Sequence, residues 1–238
     1  MIVFEDCEIE KTVCGVTFGC FIASGQTCIA GTRLILQRSI SEKFLKSLKK
    51  KIKSFKIGNP YCLETNIGPV ISREALLRID KKIKEAVKEG GEIIVGGKIH
   101  KKIRSGFFYE PTVILTNNSA NIAQEELFGP VLTCVIFEKE SEAISLANET
   151  NYGLAASIWT ENLARAHSVA NNLDCGIIWI NDHHKNDPSS PWGGFKNSGI
   201  GRENGYEAYM QYTHTRSIIA NYSRKFDDWF SDQASRYS

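Results

Sequence analysis

LTCVIF (132–137), ASIWT (156–160) and GIIWIN (176–181) are three short runs rich in β-branched and aromatic residues, and the segments between them, Ser141–Asn148 and Leu163–Asn171, read as helices. Strands that alternate with helices of about 10 residues make βαβ crossovers. Crossovers of that kind set their strands parallel and require cover on both sides of the sheet. The stretch therefore predicts an α/β fold, a mainly parallel sheet with helices on both faces. Such sheets are expected to hold ligands at the carboxyl ends of their strands, where the loops gather.

Toward the N-terminus the alternation continues. Ile9, Val13, Val16, Cys20 and Phe21 recur at steps of three and four, so Glu8 to Ala23 is expected to be an amphipathic helix that ends at Ser24-Gly25. Arg33 to Gln37 is short and aliphatic, as a buried strand requires. Cys28 thus falls in a helix-to-strand loop. From Glu42 to Phe55 the residues Phe44, Leu45, Leu48, Ile52 and Phe55 keep helical spacing with lysines opposite, which is a solvated helix face. GNPYCLETNIGPV (58–70) is rich in turn formers. Ser72 then caps a helix that runs to Glu89 and stops at Gly90-Gly91. Ile93 to Val95 and Tyr109 to Leu115 read as strands.

Past Trp192 come a glycine-rich loop, a short helix at Glu203 to Gln211 and the β-prone segment Thr213 to Ala220. No partner strand for that segment lies nearby in sequence, and an unpaired strand close to a terminus readily pairs with another subunit. In the last residues Phe226, Trp229, Phe230 and Tyr237 stand near helical spacing, as in an amphipathic helix that docks. The chain divides accordingly into a body, 1–212, a pairing strand, 213–222, and a tail, 223–238.

Composition excludes several classes. With 29 Lys plus Arg against 27 Asp plus Glu there is no global basic field, so nucleic acid is not an expected partner. No run approaches the roughly 18 apolar residues of a membrane helix, and MIVFEDCEIE lacks the features of a signal peptide. A soluble, cytoplasmic protein is expected. The seven cysteines are odd in number and contain no CxxC pair, so free thiols in a reducing compartment are expected. No metal site is expected, because the adjacent His183 and His184 do not converge easily on one ion and no third ligand is placed. Gly199 to Gly205 has the spacing GxGxxxG and follows no strand of a βαβ unit, so it reads as a structural loop.

The strongest chemical signal is SGQTCIAGTR (24–33), a small-residue loop around one thiol. Gly and Ala let an electrophile approach closely. A thiolate is the reactive form of cysteine, and backbone N–H groups in such a loop can stabilise both the thiolate and an oxyanion formed by its attack on a carbonyl.

GQTCIAGTR (25–33) resembles the active-site cysteine signature of the aldehyde dehydrogenase superfamily, with Cys28 at the nucleophile position. QEELFGP (124–130) resembles the second signature of that family, and PWGGFKNSG (191–199) the third, in the family's order and approximate spacing. The resemblance covers Ile2 to Asn221. It implies a nucleophile, Cys28, that attacks an aldehyde; the thiohemiacetal gives hydride to the nicotinamide of NAD or NADP and leaves a thioester that water hydrolyses. It further implies that Glu126 hydrogen-bonds the nicotinamide ribose, that Phe128 packs beside it, and that Trp192, Phe21 and Ile22 line the substrate tunnel. The pairing strand at 213–220 becomes, by the same resemblance, the arm through which subunits form a homo-oligomer.

In that family a long region bearing the dinucleotide fold, the hydrolytic glutamate and an oxyanion asparagine precedes the cysteine, whereas 27 residues precede Cys28 here. The expectation is therefore a catalytic-domain portion, inactive as this chain alone, that belongs to a longer product or takes a separate NAD-binding polypeptide as partner. A non-catalytic remnant or interaction module is the alternative from another class. A cysteine-dependent thioesterase using Cys28 without cofactor is the third.

Overall fold

The computed structural model describes residues 1–103, 105–224 and 230, so the tail helix expected at 223–238 lies, apart from a few positions, outside the described residues. In chain order these residues form β1 (Ile2–Val3), α1 (Ile9–Phe21), β2 (Arg33–Gln37), α2 (Arg38–Lys53), α3 (Arg73–Lys88), β3 (Glu92–Val95), β4 (Thr112–Leu115), α4 (Asn121–Gln124), β5 (Val131–Phe137), α5 (Glu140–Asn148), β6 (Tyr152–Gly153), β7 (Ala155–Trp159), α6 (Leu163–Asn171), β8 (Ile177–Ile180), β9 (Phe195–Lys196) and α7 (Gly205–Gln211). The main sheet has the order β3-β4-β5-β2-β1-β7-β8. Every neighbouring pair is parallel except β3 with β4. The α/β reading, mainly parallel, is what the chain adopts.

Helices cover both faces because side chains alternate along each strand. In β2, Leu34 and Leu36 join Val13, Val16, Phe44 and Leu48 of α1 and α2. Ile35, between them, joins Ala143 and Val169 of α5 and α6 on the opposite face. Each fully buried aliphatic side chain of this kind contributes about 1.5–3 kcal/mol. Side-chain caps set the helix starts: Glu8 accepts from the N–H groups of Glu10 and Lys11, Ser72 from Ala75, and Asn162 from Arg165. Among the described residues no helix is long and apolar enough to cross a membrane.

The departures have physical reasons. β1, the strand next to the middle of the sheet, is too short to show a period in the sequence, yet Ile2 and Val3 are essentially sealed from solvent. α2 starts at Arg38 directly off β2, four residues before the lysine-patterned stretch, with Arg38 paired to Glu138. The strand expected from Tyr109 begins at Thr112, since Tyr109 makes an isolated bridge to Ile99. Thr213 to Ala220 forms no strand within the chain, and its side chains are exposed.

Candidate active site

The segment that carries Cys28 is built by a sharp reversal at the end of α1. Ala23, Ser24 and Gly25 follow one another in the left-handed region, at φ 50°, 57° and 71°. That conformation costs a non-glycine residue about 1–2 kcal/mol. Bonds to distant segments hold it: Ser24 Oγ donates to the Gly68 carbonyl at 3.0 Å, and Gln26 Oε1 accepts from the Ile71 N–H at 2.7 Å. Gly25 is required twice over, because a Cβ there would stand 2.2 Å from the Gly129 carbonyl oxygen. This close backbone approach brings the stretch Gln124 to Pro130 beside the cysteine loop.

Within the loop the Ala30 N–H closes a turn on the Thr27 carbonyl at 3.0 Å, and the Gly31 N–H reaches back to the Gly19 carbonyl at 3.0 Å. Cys28 sits exposed at its crest. Burial disfavours the thiolate at several of the other cysteines. Burial pushes Cys134 up to about 12 and Cys175 up to about 11, and it raises Cys20 as well. Cys14 and Cys62 share the exposure of Cys28. Cys28 differs from both in lining a cavity of about 350 Å³, which Thr27, Glu126 and Phe128 also line.

The cavity opens at the amino ends of the strands. Ile2, Arg33 and Ala155, the first residues of β1, β2 and β7, line it. Carboxyl ends were the expected place, and the chain shows why they are not: β2 runs into α2 without an intervening residue, so the long loops gather at the other edge.

Glu125 and Glu126 take different roles. Glu125 is engaged by Lys82 at 2.7 Å, whereas Glu126 has no hydrogen bond or ion pair among the described residues. Leu127 between Glu126 and Phe128 is buried, with its carbonyl held by Arg78 Nη2 at 2.7 Å. Phe128 then adopts φ 52°, unusual for a bulky residue, and stays 40% exposed at the cavity. The structure thus brings Cys28, Glu126 and Phe128 to one cavity.

It does not bring the three tunnel residues there. Phe21 is 1% exposed and packs edge-on against Phe55, with ring centroids 6.1 Å apart, so it is a core residue and not a wall; the end of α1 turns it inward. Ile22 is 38% exposed and lies outside the cavity lining. Trp192 is also outside it, and its ring stands edge-on to Trp179 at 6.4 Å. From Trp179 the contacts run on to His183 at 4.7 Å, His184 at 4.7 Å and Phe18 at 5.4 Å. Phe18 precedes Ile22 by one helical turn. An aromatic string therefore backs the Cys28 loop away from the cavity.

Three contributors carry no mark in the local sequence. Gln26 stitches the loop to Pro69 and Ile71, and only its place inside the SGQTC run hinted at it. His183 and His184, read as loop residues, spend their Nε2 atoms on the backbone carbonyls of Ile29 and Gly19. The GxGxxxG loop is structural: Arg202 lies over the Phe195 ring and donates to the Gly194 carbonyl.

An α/β sheet with a cysteine-bearing loop over its strand starts, joined by a glutamate and a strained phenylalanine, defines a distinct class of protein. The chain belongs to the aldehyde dehydrogenase family, whose family model matches residues 1–218. It is 40% identical over 233 residues to the betaine aldehyde dehydrogenase of Bacillus subtilis, covering 97% of this chain and 48% of that protein. Among solved structures, the betaine aldehyde dehydrogenase of Staphylococcus aureus in complex with NAD+ matches with a TM-score of 0.93 at 42% identity, over 97% of this chain and 46% of the other. PnpE from Pseudomonas sp. WBC-3 matches with a TM-score of 0.92 at 42% identity, over 96% of this chain and 47% of the other. The chain spans about half the length of the curated relatives it matches.

Proposed function

We propose that Cys28 is the nucleophile in the NAD(P)-dependent oxidation of a small-molecule aldehyde to its carboxylic acid. The observation that carries this reading is the shared cavity of Cys28, Glu126 and Phe128 in a chain of this family. The Cys28 thiolate attacks the carbonyl carbon, and the carbonyl oxygen becomes an oxyanion. The Cys28 backbone N–H, which has no acceptor among the described residues, is available to it. The exposed Phe128 ring and the unpaired Glu126 carboxylate fit a flat heteroaromatic ring and the hydroxyls of its sugar. A bound nicotinamide supplies the hydride acceptor. The acyl group left on the Cys28 sulfur is a thioester that water releases with the help of a base from another part of the enzyme.

Because the chain spans about half of its relatives, the full reaction belongs to this site together with a dinucleotide-binding fold, in the same or a second polypeptide. This chain alone is read as inactive toward aldehydes. Betaine aldehyde is the first substrate to try, since several relatives are named for it. NADH formation from betaine aldehyde by the completed enzyme, lost in Cys28→Ala, supports the proposal; turnover that survives Cys28→Ala refutes it. Titration calorimetry of NAD+ against this chain is expected to show no saturable binding below millimolar concentration.

A second reading, a module that pairs with other subunits through 213–222, draws on the exposure of Tyr212 (92%), Ile218 (80%) and Ile219 (93%). The two readings are compatible. A homo-oligomer in analytical ultracentrifugation that dissociates when Ile218 and Ile219 are made lysine supports the second, and a monomeric chain at all concentrations refutes it.

A further inference from the structure

His183 is buried, at 3% exposure, and its Nε2 lies 2.9 Å from the carbonyl oxygen of Ile29, the residue after Cys28. The next residue, His184, places its Nε2 3.0 Å from the Gly19 carbonyl, which also accepts the Gly31 N–H. Carbonyl oxygens only accept, so both rings must carry their proton on Nε2. For a neutral His183 that leaves Nδ1 as a bare acceptor, and Nδ1 of His183 is the one buried side-chain polar atom without a partner among the described residues. A buried acceptor left unpaired is unfavourable and calls for an explanation elsewhere in the site. The explanation lies in what the other nitrogen holds.

We propose that His183 and His184 are positioning residues, a pair of imidazole clamps that fix both ends of the Gly19 to Gly31 segment and so set the Cys28 backbone N–H relative to its thiol. The inference rests on Cys28 being the nucleophile.

The turn that delivers the rings is itself rigid. Asn181 and His184 are left-handed, at φ 54° and 64°. Asn181 is fixed by a pair of bonds to the Thr160 backbone, at 3.0 and 2.8 Å. Asp182 accepts from the His183 N–H at 2.8 Å and pairs with Lys185 at 2.7 Å, and Trp179 Nε1 donates to the Lys185 carbonyl at 2.7 Å. Gly19 makes room, since a Cβ there would stand 3.0 Å from the His183 ring. Burial holds the His183 pKa down to about 4 against the opposing hydrogen bond to Ile29, so the ring is neutral near pH 7. The left-handed His184 lets two consecutive histidines reach one carbonyl at the end of α1 and one in the cysteine loop.

Two reactions of the same thiol separate positioning from general disruption. Acylation by p-nitrophenyl acetate passes through an oxyanion at the loop N–H, whereas alkylation by iodoacetamide needs only the thiolate. Both are read at Cys28 by peptide mass spectrometry in the full chain. In His183→Leu, Cys28 acylation is expected to fall about tenfold with alkylation changed less than twofold, and His183→Gln, whose amide can donate to Ile29, is expected to recover most of the acylation. Unchanged acylation in His183→Leu, or acylation and alkylation falling together without rescue by Gln, overturns the clamp. Should the leucine variant fail to fold, imidazole 15N NMR of the native chain decides: a neutral His183 with its proton on Nε2 supports the clamp, and a proton on Nδ1 overturns it. Absence of Cys28 acylation in the native chain would instead remove the nucleophile reading, while the NMR result would still judge the contacts.

Discussion

Two regions of this chain handle exposed chemistry in opposite ways. Around Cys28 one thiol is exposed, and the backbone beneath it is held from several sides: Ser24 to Gly68, Gln26 to Ile71, Ile29 to His183, Gly31 to Gly19. From Tyr206 to Tyr222 the reverse holds. Large apolar side chains stand in solvent, with Tyr212 at 92% and Tyr222 at 93%, and α7 buries none of its residues. In the first region the loop backbone is held by the chain's own residues. The second has the form of a surface that something else covers.

The sharpest way to break that contrast is to remove the thiol. Cys28→Ala is expected to abolish acylation of the 24–33 loop by p-nitrophenyl acetate, a loss of about 10³-fold or more, with the urea unfolding midpoint unchanged. A large loss of stability instead would make Cys28 a packing residue.

Next in size is Gly25→Ala. Its left-handed backbone and the 2.2 Å approach of the Gly129 carbonyl leave no room for a methyl, so destabilisation of about 4 kcal/mol in urea unfolding is expected. A change below about 1 kcal/mol would mean that the two loops move independently.

His183 gives a pH signature. Its folded pKa, about 4, lies below the ordinary 6.5, so the unfolded chain takes up the proton first. The stability it contributes is full above pH 6.5 and is lost as pH falls toward 4, by about 3 kcal/mol. Native protein should therefore lose that much more than His183→Phe in urea unfolding between pH 7 and pH 4; equal losses would place His183 in contact with water.

The smallest effect on stability is expected at the other pole of the comparison. Changing Ile218 and Ile219 together to lysine should move the unfolding free energy by less than about 0.5 kcal/mol, while sedimentation shifts toward the monomer. A loss above 1 kcal/mol would show that the segment packs on its own chain.

How much of this was legible follows from the range of the forces involved. The β5-α5-β7-α6-β8 run could be read because strand and helix periods are local, and α6 has the bounds that its apolar spacing set. That Cys28, Glu126 and Phe128 line one cavity could be anticipated because each lies in a contiguous signature. β1 is too short to show a period, and its place beside β2 and β7 is a tertiary choice. Phe21 shows a related limit: spacing puts it on the apolar face of α1, and only the turn at Ala23 and Ser24 turns that end into the core. The amino-end position of the site depends on which loops are long. The two histidines act through backbone carbonyls 154 and 165 residues away in sequence, a pairing that no local pattern carries.

The central claim is that the chain by itself builds a reactive Cys28 poised beside an oxyanion donor. Brief treatment of the full chain with p-nitrophenyl acetate, followed by peptide mass spectrometry of all seven cysteines, tests it most directly. Acetyl thioester concentrated on Cys28, at least about tenfold over Cys14 and Cys62, which are also exposed, is the expected result. Equal acetylation of the three exposed thiols, or none at Cys28, would contradict it.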